Sequence, residues 1–292
     1  MSEMKEFVLP DEVTKSSGTS PRDLVVISQP KMGKSAIFGD FSVKYNGLVF
    51  NLEKGGYEYI DAKRVDIYEN ETTTDIEAYF KYIQIRKTLV AQKGKYDVLL
   101  IDGLSDLDKM SELGGTLAYM NTVIGGRFNN IDPNDKRKKD APKWKPGDPG
   151  FKSVLTLADG AGYWHTRKWF LNQIEIFREI APYRIYAAHV AEKYIKDKNT
   201  REQVIGEELF LTGKLKNIFA TKVTALGKLI ADNEKRYINF EVLNDSIIAG
   251  SRAPFLKEKI LVSEKQSDDS IRTYWENIYD EGLLTSIINA KI

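Results

Sequence analysis

The chain has 292 residues, 43 Lys and Arg against 42 Asp and Glu, 42% apolar residues and 29% charged ones. That balance allows a sizeable core and excludes a surface coated in positive charge, since every neutralised nucleic-acid or membrane phosphate needs its own basic side chain. Having no Cys and only His165 and His189 as histidines excludes a disulfide scaffold, thiolate or His-built metal sites and a Cys nucleophile.

Residues 1–22, polar and turn-rich from Ser16 to Pro21, read as a flexible arm without the apolar run of a secretory signal. One domain is expected over 23–292. Leu24-Val25-Val26-Ile27 is a short, wholly apolar, β-branched run, as in strands buried on both faces. Leu48–Leu52, Val98–Ile101 and Ile185–Ala188 repeat that pattern. Between them the spacing predicts a helix from Ser35 to Tyr45, stopped by Asn46-Gly47. A second opens on the capping box Thr74-Asp75-Ile76-Glu77, with Ile76, Tyr79, Phe80 and Ile83 inward. A third runs over Tyr163–Ile180 and closes at Pro182. Antiparallel strands are expected over 217–262, including a hairpin of Val223–Ile230 with Tyr237–Leu243, and a last helix over 269–290. The class is α/β, a mainly parallel sheet flanked by helices with an antiparallel C-terminal hairpin extension. No run of about 18 to 20 apolar residues is long enough to span a bilayer, so no membrane partner is expected.

Chemistry begins where the first strand ends. Ser28-Gln29-Pro30-Lys31-Met32-Gly33-Lys34-Ser35 matches G-x-x-x-x-G-K-[ST] everywhere but its first position, and it lies between a buried strand and a helix. In such a loop the backbone from Pro30, Lys31 and Met32 through Gly33 to Ala36 cradles phosphates. Lys34 reaches the β/γ oxygens and Ser35 ligates Mg²⁺. Val98–Ile101 ends in Asp102, a carboxylate placed to orient that cation. Together these predict a nucleoside triphosphate and Mg²⁺ as ligands. Glu53, just past the second strand, is the candidate to activate water, because Gly103 rather than an acid follows Asp102. His189, at the end of its strand, is the candidate γ-phosphate sensor.

The set Ser28-x-Pro30-x-x-Gly33-Lys34-Ser35, Asn51-Leu52-Glu53-x-Gly55-Gly56, Leu99-Leu100-Ile101-Asp102-Gly103-Leu104 and Ala187-Ala188-His189-Val190 resembles the phage-type RecA-like P-loop ATPases, the phage AAA or single-strand-annealing ATPase family. The resemblance spans roughly residues 23 to 256, including Leu211-Thr212-Gly213-Lys214 and Ala249-Gly250-Ser251-Arg252. It implies a RecA-like core that hydrolyses ATP in phage DNA recombination, annealing or replication, within the host cytoplasm. It also implies a homo-oligomer, single-stranded DNA and recombination or replication proteins as partners. RecA-like enzymes commonly complete their site with a basic residue from a neighbouring subunit, for which Lys228 and Arg252 are candidates.

Two basic stretches are candidate DNA contacts. The Pro- and Gly-rich insertion 125–150, expected to be mobile, holds Lys136, Arg137, Lys138, Lys139, Lys143 and Lys145 around Trp144, with Asp140 as the acid among them. Cations for phosphates and a ring for base stacking suit a strand-tracking loop; a solvated charge run is the plainer reading. The other stretch follows His189, with Lys193, Tyr194, Lys196, Lys198 and Arg201, diluted by Glu192, Asp197 and Glu202. Two other functions remain open: a small-molecule P-loop kinase with the insertion as its lid, and a nucleotide-binding interaction protein that does not hydrolyse.

Overall fold

The computed structural model describes residues 18–196, 202–241 and 249–289. Its first half comprises β1 (Asp23–Ser28), α1 (Lys34–Lys44), β2 (Gly47–Asn51), β3 (Arg64–Asp66), α2 (Asp75–Ala91), β4 (Val98–Asp102) and α3 (Leu104–Met120). After a turn-rich stretch come α4 (Ala161–Ile180), β5 (Tyr183–Lys196), β6 (Glu202–Leu209), α5 (Leu215–Ala220), β7 (Ala225–Asp232) and β8 (Lys235–Asn239). β9 (Gly250–Ser251), β10 (Lys259–Lys265), β11 (Ile271–Thr273) and α6 (Glu281–Asn289) follow.

The strands lie in the order β11-β10-β8-β7-β1-β5-β4-β2-β3. From β7 to β3 they run parallel, and β8, β10 and β11 extend the sheet antiparallel. Alternate residues of each central strand feed opposite faces. Val25, Ile27, Leu99, Ile101 and Tyr186 pack under Phe170, Ile174 and Phe177 of α4. Leu24, Val26, Leu100 and Ile185 pack under Ile37, Phe38 and Phe41 of α1, with Trp275 and Tyr279. Both faces are covered, which is why these strands read as unbroken apolar runs. β1 starts at buried Asp23, whose carboxylate accepts from Arg184 Nε at 2.8 Å and an Arg178 guanidinium nitrogen at 3.1 Å. Removing one partner of so buried a pair costs about 3–5 kcal/mol.

Several expectations are corrected. Leu104–Met120 forms a helix that the pattern did not predict. On α2 the capping box is present, but Phe80 is exposed and Tyr82 is the buried ring, stacked on Phe50 at 5.4 Å. Residues 269–290 do not make one helix: β11, a 3-10 turn at Trp275–Asn277 and α6 stand there. The strand ending in His189 continues to Lys196 and pairs with β6 as an antiparallel ribbon. Of the arm, residues 1–17 lie outside the described residues. Ser20 accepts a hydrogen bond from Asp280 N at 2.9 Å, and Arg22 O accepts from Arg184 N at 2.8 Å, so residues 20–22 are tied to the body. The insertion is stapled: Asn129 exchanges hydrogen bonds with Lys152, and Trp144 N donates to Asn129 O. Among the described residues no helix is long and apolar enough to cross a membrane.

Candidate functional site

The strand order determines where the site lies. β5 sits between β1 and β4, and the register sets Ser28 beside His189 and Ala187 beside Asp102. Side chains leaving the carboxyl ends of these strands therefore converge, as in other open α/β sheets. Ser28 continues regular strand backbone and its hydroxyl donates to Gln29 O at 2.7 Å, so this position needs no glycine here. The left-handed turn falls instead on Lys31 (φ 64) and Gly33 (φ 92), which delivers Lys34 and Ser35 into the first turn of α1.

Asp102 is fully buried. Its Oδ2 accepts from Tyr57 OH at 2.7 Å and Ser35 Oγ at 3.2 Å, while Oδ1 is buried with no hydrogen-bond partner. Burial, then the charge of Glu53, raises its pKa from 3.8 to about 6, against the pull of Tyr57, Lys34 and Ser35. A buried carboxylate oxygen without a donor is what a cation site leaves exposed. Hydroxyl and carboxylate oxygens suit Mg²⁺, which keeps waters and phosphate oxygens as its other ligands. Among the described residues no group of three or more His, Cys, Asp or Glu that could hold a metal ion occurs.

His189 bridges the other two charged groups. Its Nδ1 is 3.4 Å from Lys34 Nζ and its Nε2 is 2.9 Å from Glu53 Oε1. An ammonium only donates, so Nδ1 accepts and the Nε2 hydrogen points to Glu53. Burial raises the Glu53 carboxyl, but the hydrogen bond from His189 and its electrostatic pull, with Lys34 behind, outweigh it and hold the group below its ordinary range. Burial lowers the Lys34 ammonium, opposed by Asp102 and Glu53. Glu53 is also positioned from below. Its amide donates to Asn51 Oδ1 at 3.2 Å, and a Cβ added to Gly103 would lie 2.8 Å from its Cγ.

Lys34, Ser35, Glu53, Asp102 and His189 are thus brought together. Arg252 is not: its amide donates to Thr224 O and its guanidinium to Thr221 O, by the starting end of β7, so it could serve only a neighbour's site. Lys228, one strand over from Ile27, is paired with Glu207. In the insertion, Lys143 Nζ is spent on Gly126 O and Asn130 Oδ1, both at 2.7 Å. Arg137 is paired with Asp135, and Trp144 packs on Gly150, where a Cβ would come within 2.4 Å of its ring. Lys136, Lys139 and Lys145 remain exposed, and Lys138 lies in a 3-10 turn. Lys193 and Lys196 belong to the β5–β6 ribbon, opposite Gly206 and Glu202; Lys198 and Arg201 lie outside the described residues.

Sequence reasoning missed Tyr57, which reaches Asp102 because Gly55 (φ 73) and Gly56 (φ 90) turn the chain back. The adjacent glycines after Glu53 were its available signal. It also missed a cavity of about 710 Å³ that starts at Lys54 and is lined by Tyr68, Asp75, Asp106, Lys109 and Phe151 among others. No protein-family model and no curated protein matches the chain.

Proposed function

We propose that the protein is a Mg²⁺-dependent, RecA-like ATPase whose hydrolysis serves DNA recombination, single-strand annealing or replication, as in phages. The observation that carries the ATPase reading is the convergence of Lys34, Ser35 and Asp102 around a buried carboxylate oxygen that has no protein donor. Phosphoryl transfer to water asks the protein mainly for positioning and charge. Ser35 and Asp102 would hold Mg²⁺, which when bound neutralises charge on the phosphates. Lys34 adds a second cation. Glu53, kept ionised by its surroundings, takes the proton of the attacking water as the bond to the leaving ADP breaks. His189, touching both Lys34 and Glu53, links the state of the phosphates to the base. The DNA side of the proposal draws on the motif resemblance and on the exposed Lys136, Lys139 and Lys145.

An assay of phosphate release with titrated single-stranded DNA and salt tests it. Mg²⁺-dependent turnover lost in Lys34→Ala is expected, and parent-rate turnover by that variant would overturn the assignment. The cavity that starts at Lys54 favours a second reading, transfer to a small acceptor, since about 710 Å³ lies within the range of ligand pockets. Label moving from ATP to a small molecule rather than to water would establish it.

A further inference from the structure

We propose that the slot between the start of α4 and the segment Thr212–Leu215 binds single-stranded nucleic acid and passes its occupancy to His189. The coupling rests on the ATPase reading above; the binding does not. The slot, about 330 Å³, has Tyr163, Thr166 and Arg167 on one side and Thr212, Gly213 and Lys214 on the other, with Asp108 also lining it. Its size is at the small end of ligand cavities, roughly 300 Å³ upward, suited to a base or a phosphate.

The chemistry of its walls selects the occupant. Arg167 and Lys214 have no ion-pair partner among the described residues, whereas the carboxylate of Asp108 is engaged by Thr212 N at 2.6 Å and Ser111 Oγ at 3.5 Å. Tyr163, which lines the slot, is 51% exposed; its chain neighbour Trp164, outside the lining, is equally exposed, with Lys168 Nζ 4.7 Å from its ring centre. Cations without an ion-pair partner among the described residues, set beside exposed rings, meet both parts of a single strand, phosphates and bases. An acidic peptide would use the cations and leave the rings idle. Trp144, the ring expected to stack in the insertion, is instead packed against its own chain.

The slot is wired to the nucleotide centre. His189 O accepts from Phe210 N at 3.0 Å, and Phe210 O accepts from Ser105 Oγ at 3.0 Å. Ser105 and Asp108 lie on α3, which starts directly after Asp102 and Gly103. A strand seated on Lys214 thus acts on a segment that hangs from His189 and is pinned to the helix leaving Asp102.

The test uses the full chain without nucleotide: fluorescence anisotropy of a labelled oligothymidylate, and tryptophan emission. Trp169 and Trp275 are buried and the Trp144 ring is packed on Gly150 in the insertion, so quenching on titration should come from Trp164 and be largely lost in Trp164→Phe. Lys214→Glu and Arg167→Ala should each weaken binding about tenfold, and each lost cation should flatten the dependence of log affinity on log salt by about 0.7. Lys214 is exposed, so its variant tests the site even if Arg167→Ala misfolds. Parent-like affinity in Lys214→Glu, quenching that survives in Trp164→Phe, or saturation by thymidine monophosphate over the same concentrations would overturn the proposal. Comparing deoxy- and ribo-oligomers identifies which strand fits. ATP turnover on the same samples separates the two readings: binding without turnover condemns the ATPase, and turnover with parent-like binding in the variants condemns the slot.

Discussion

Asp102→Asn is the most informative single change, because its effect on stability has opposite sign with and without cation. The buried carboxyl holds its proton up to about pH 6, where an unfolded Asp loses it near 3.8. Folded protein therefore binds the proton more tightly than unfolded chain. Stability falls as pH rises from about 4 to about 6 and the deficit stays constant above, about 3 kcal/mol at roughly 1.4 kcal/mol per decade. Asparagine removes that cost but sets an unpaired amide where Oδ1 has no partner, a penalty of about 1–3 kcal/mol. The net gain is about 1 kcal/mol at about pH 8, or roughly 2 °C in Tm for a chain of this size. Scanning calorimetry in chelator should show the variant melting above the parent at about pH 8 and at or below it near pH 4. Millimolar Mg²⁺ with a non-hydrolysable ATP analogue should then stabilise the parent and leave the variant nearly unmoved. A variant less stable than the parent at high pH without cation, or equal stabilisation of both, would refute the reasoning.

Other outcomes follow from the same geometry. Glu53→Gln should lower kcat by about 10²–10⁴ while a fluorescent ATP analogue still binds, as expected for loss of a general base; Lys34→Ala should lower both turnover and that binding. Gly103→Ala places a Cβ 2.8 Å from Glu53 Cγ at φ +103, and should cost about 1–3 kcal/mol in urea unfolding as well as turnover. Tyr57→Phe removes the 2.7 Å donor from Asp102 and should destabilise by about 1.5–3 kcal/mol, read as a lower urea midpoint with an unchanged m-value. Changing Lys136 through Lys139 to Gln should weaken oligonucleotide binding and leave binding of the ATP analogue intact, both measured by titration.

What the sequence made legible was set by local rules. Strands buried on both faces, the Thr74–Glu77 capping box and the loop between strand and helix all depend on neighbours in the chain, and each is found where expected. α3 escaped because Gly114-Gly115 reads as a break. The pair is there for packing, since a Cβ at Gly114 would come within 2.2 Å of Trp169 and one at Gly115 within 2.9 Å of Thr166. The apolar spacing of Ile271, Tyr274, Trp275 and Ile278 suggested one helix. A strand followed by a 3-10 turn buries Trp275 and Ile278 just as well, and periodicity alone does not separate the two. Tyr57 and the Tyr163–Lys214 slot depend on contacts between distant segments, for which a single chain carries no pattern. The basic loop shows the converse: its charges were plain, but their partners Asp135, Gly126 O and Asn130 were not.

The position of β1 also has a consequence for the order in which the candidate site is assembled during synthesis. β1 is made first of all the strands, yet its two sheet neighbours are β5 and β7, and Asp23 pairs with an arginine 161 positions later. Until the ribosome has released residues up to about Lys228, the loop that carries Lys34 and Ser35 follows a strand with neither flank in place. Such non-local pairing is slow to form, and it exposes an apolar strand while it waits. The meeting of Lys34 and Ser35 with Asp102 would then be among the last arrangements to form on the nascent chain, in place only once the sheet has closed around its first strand.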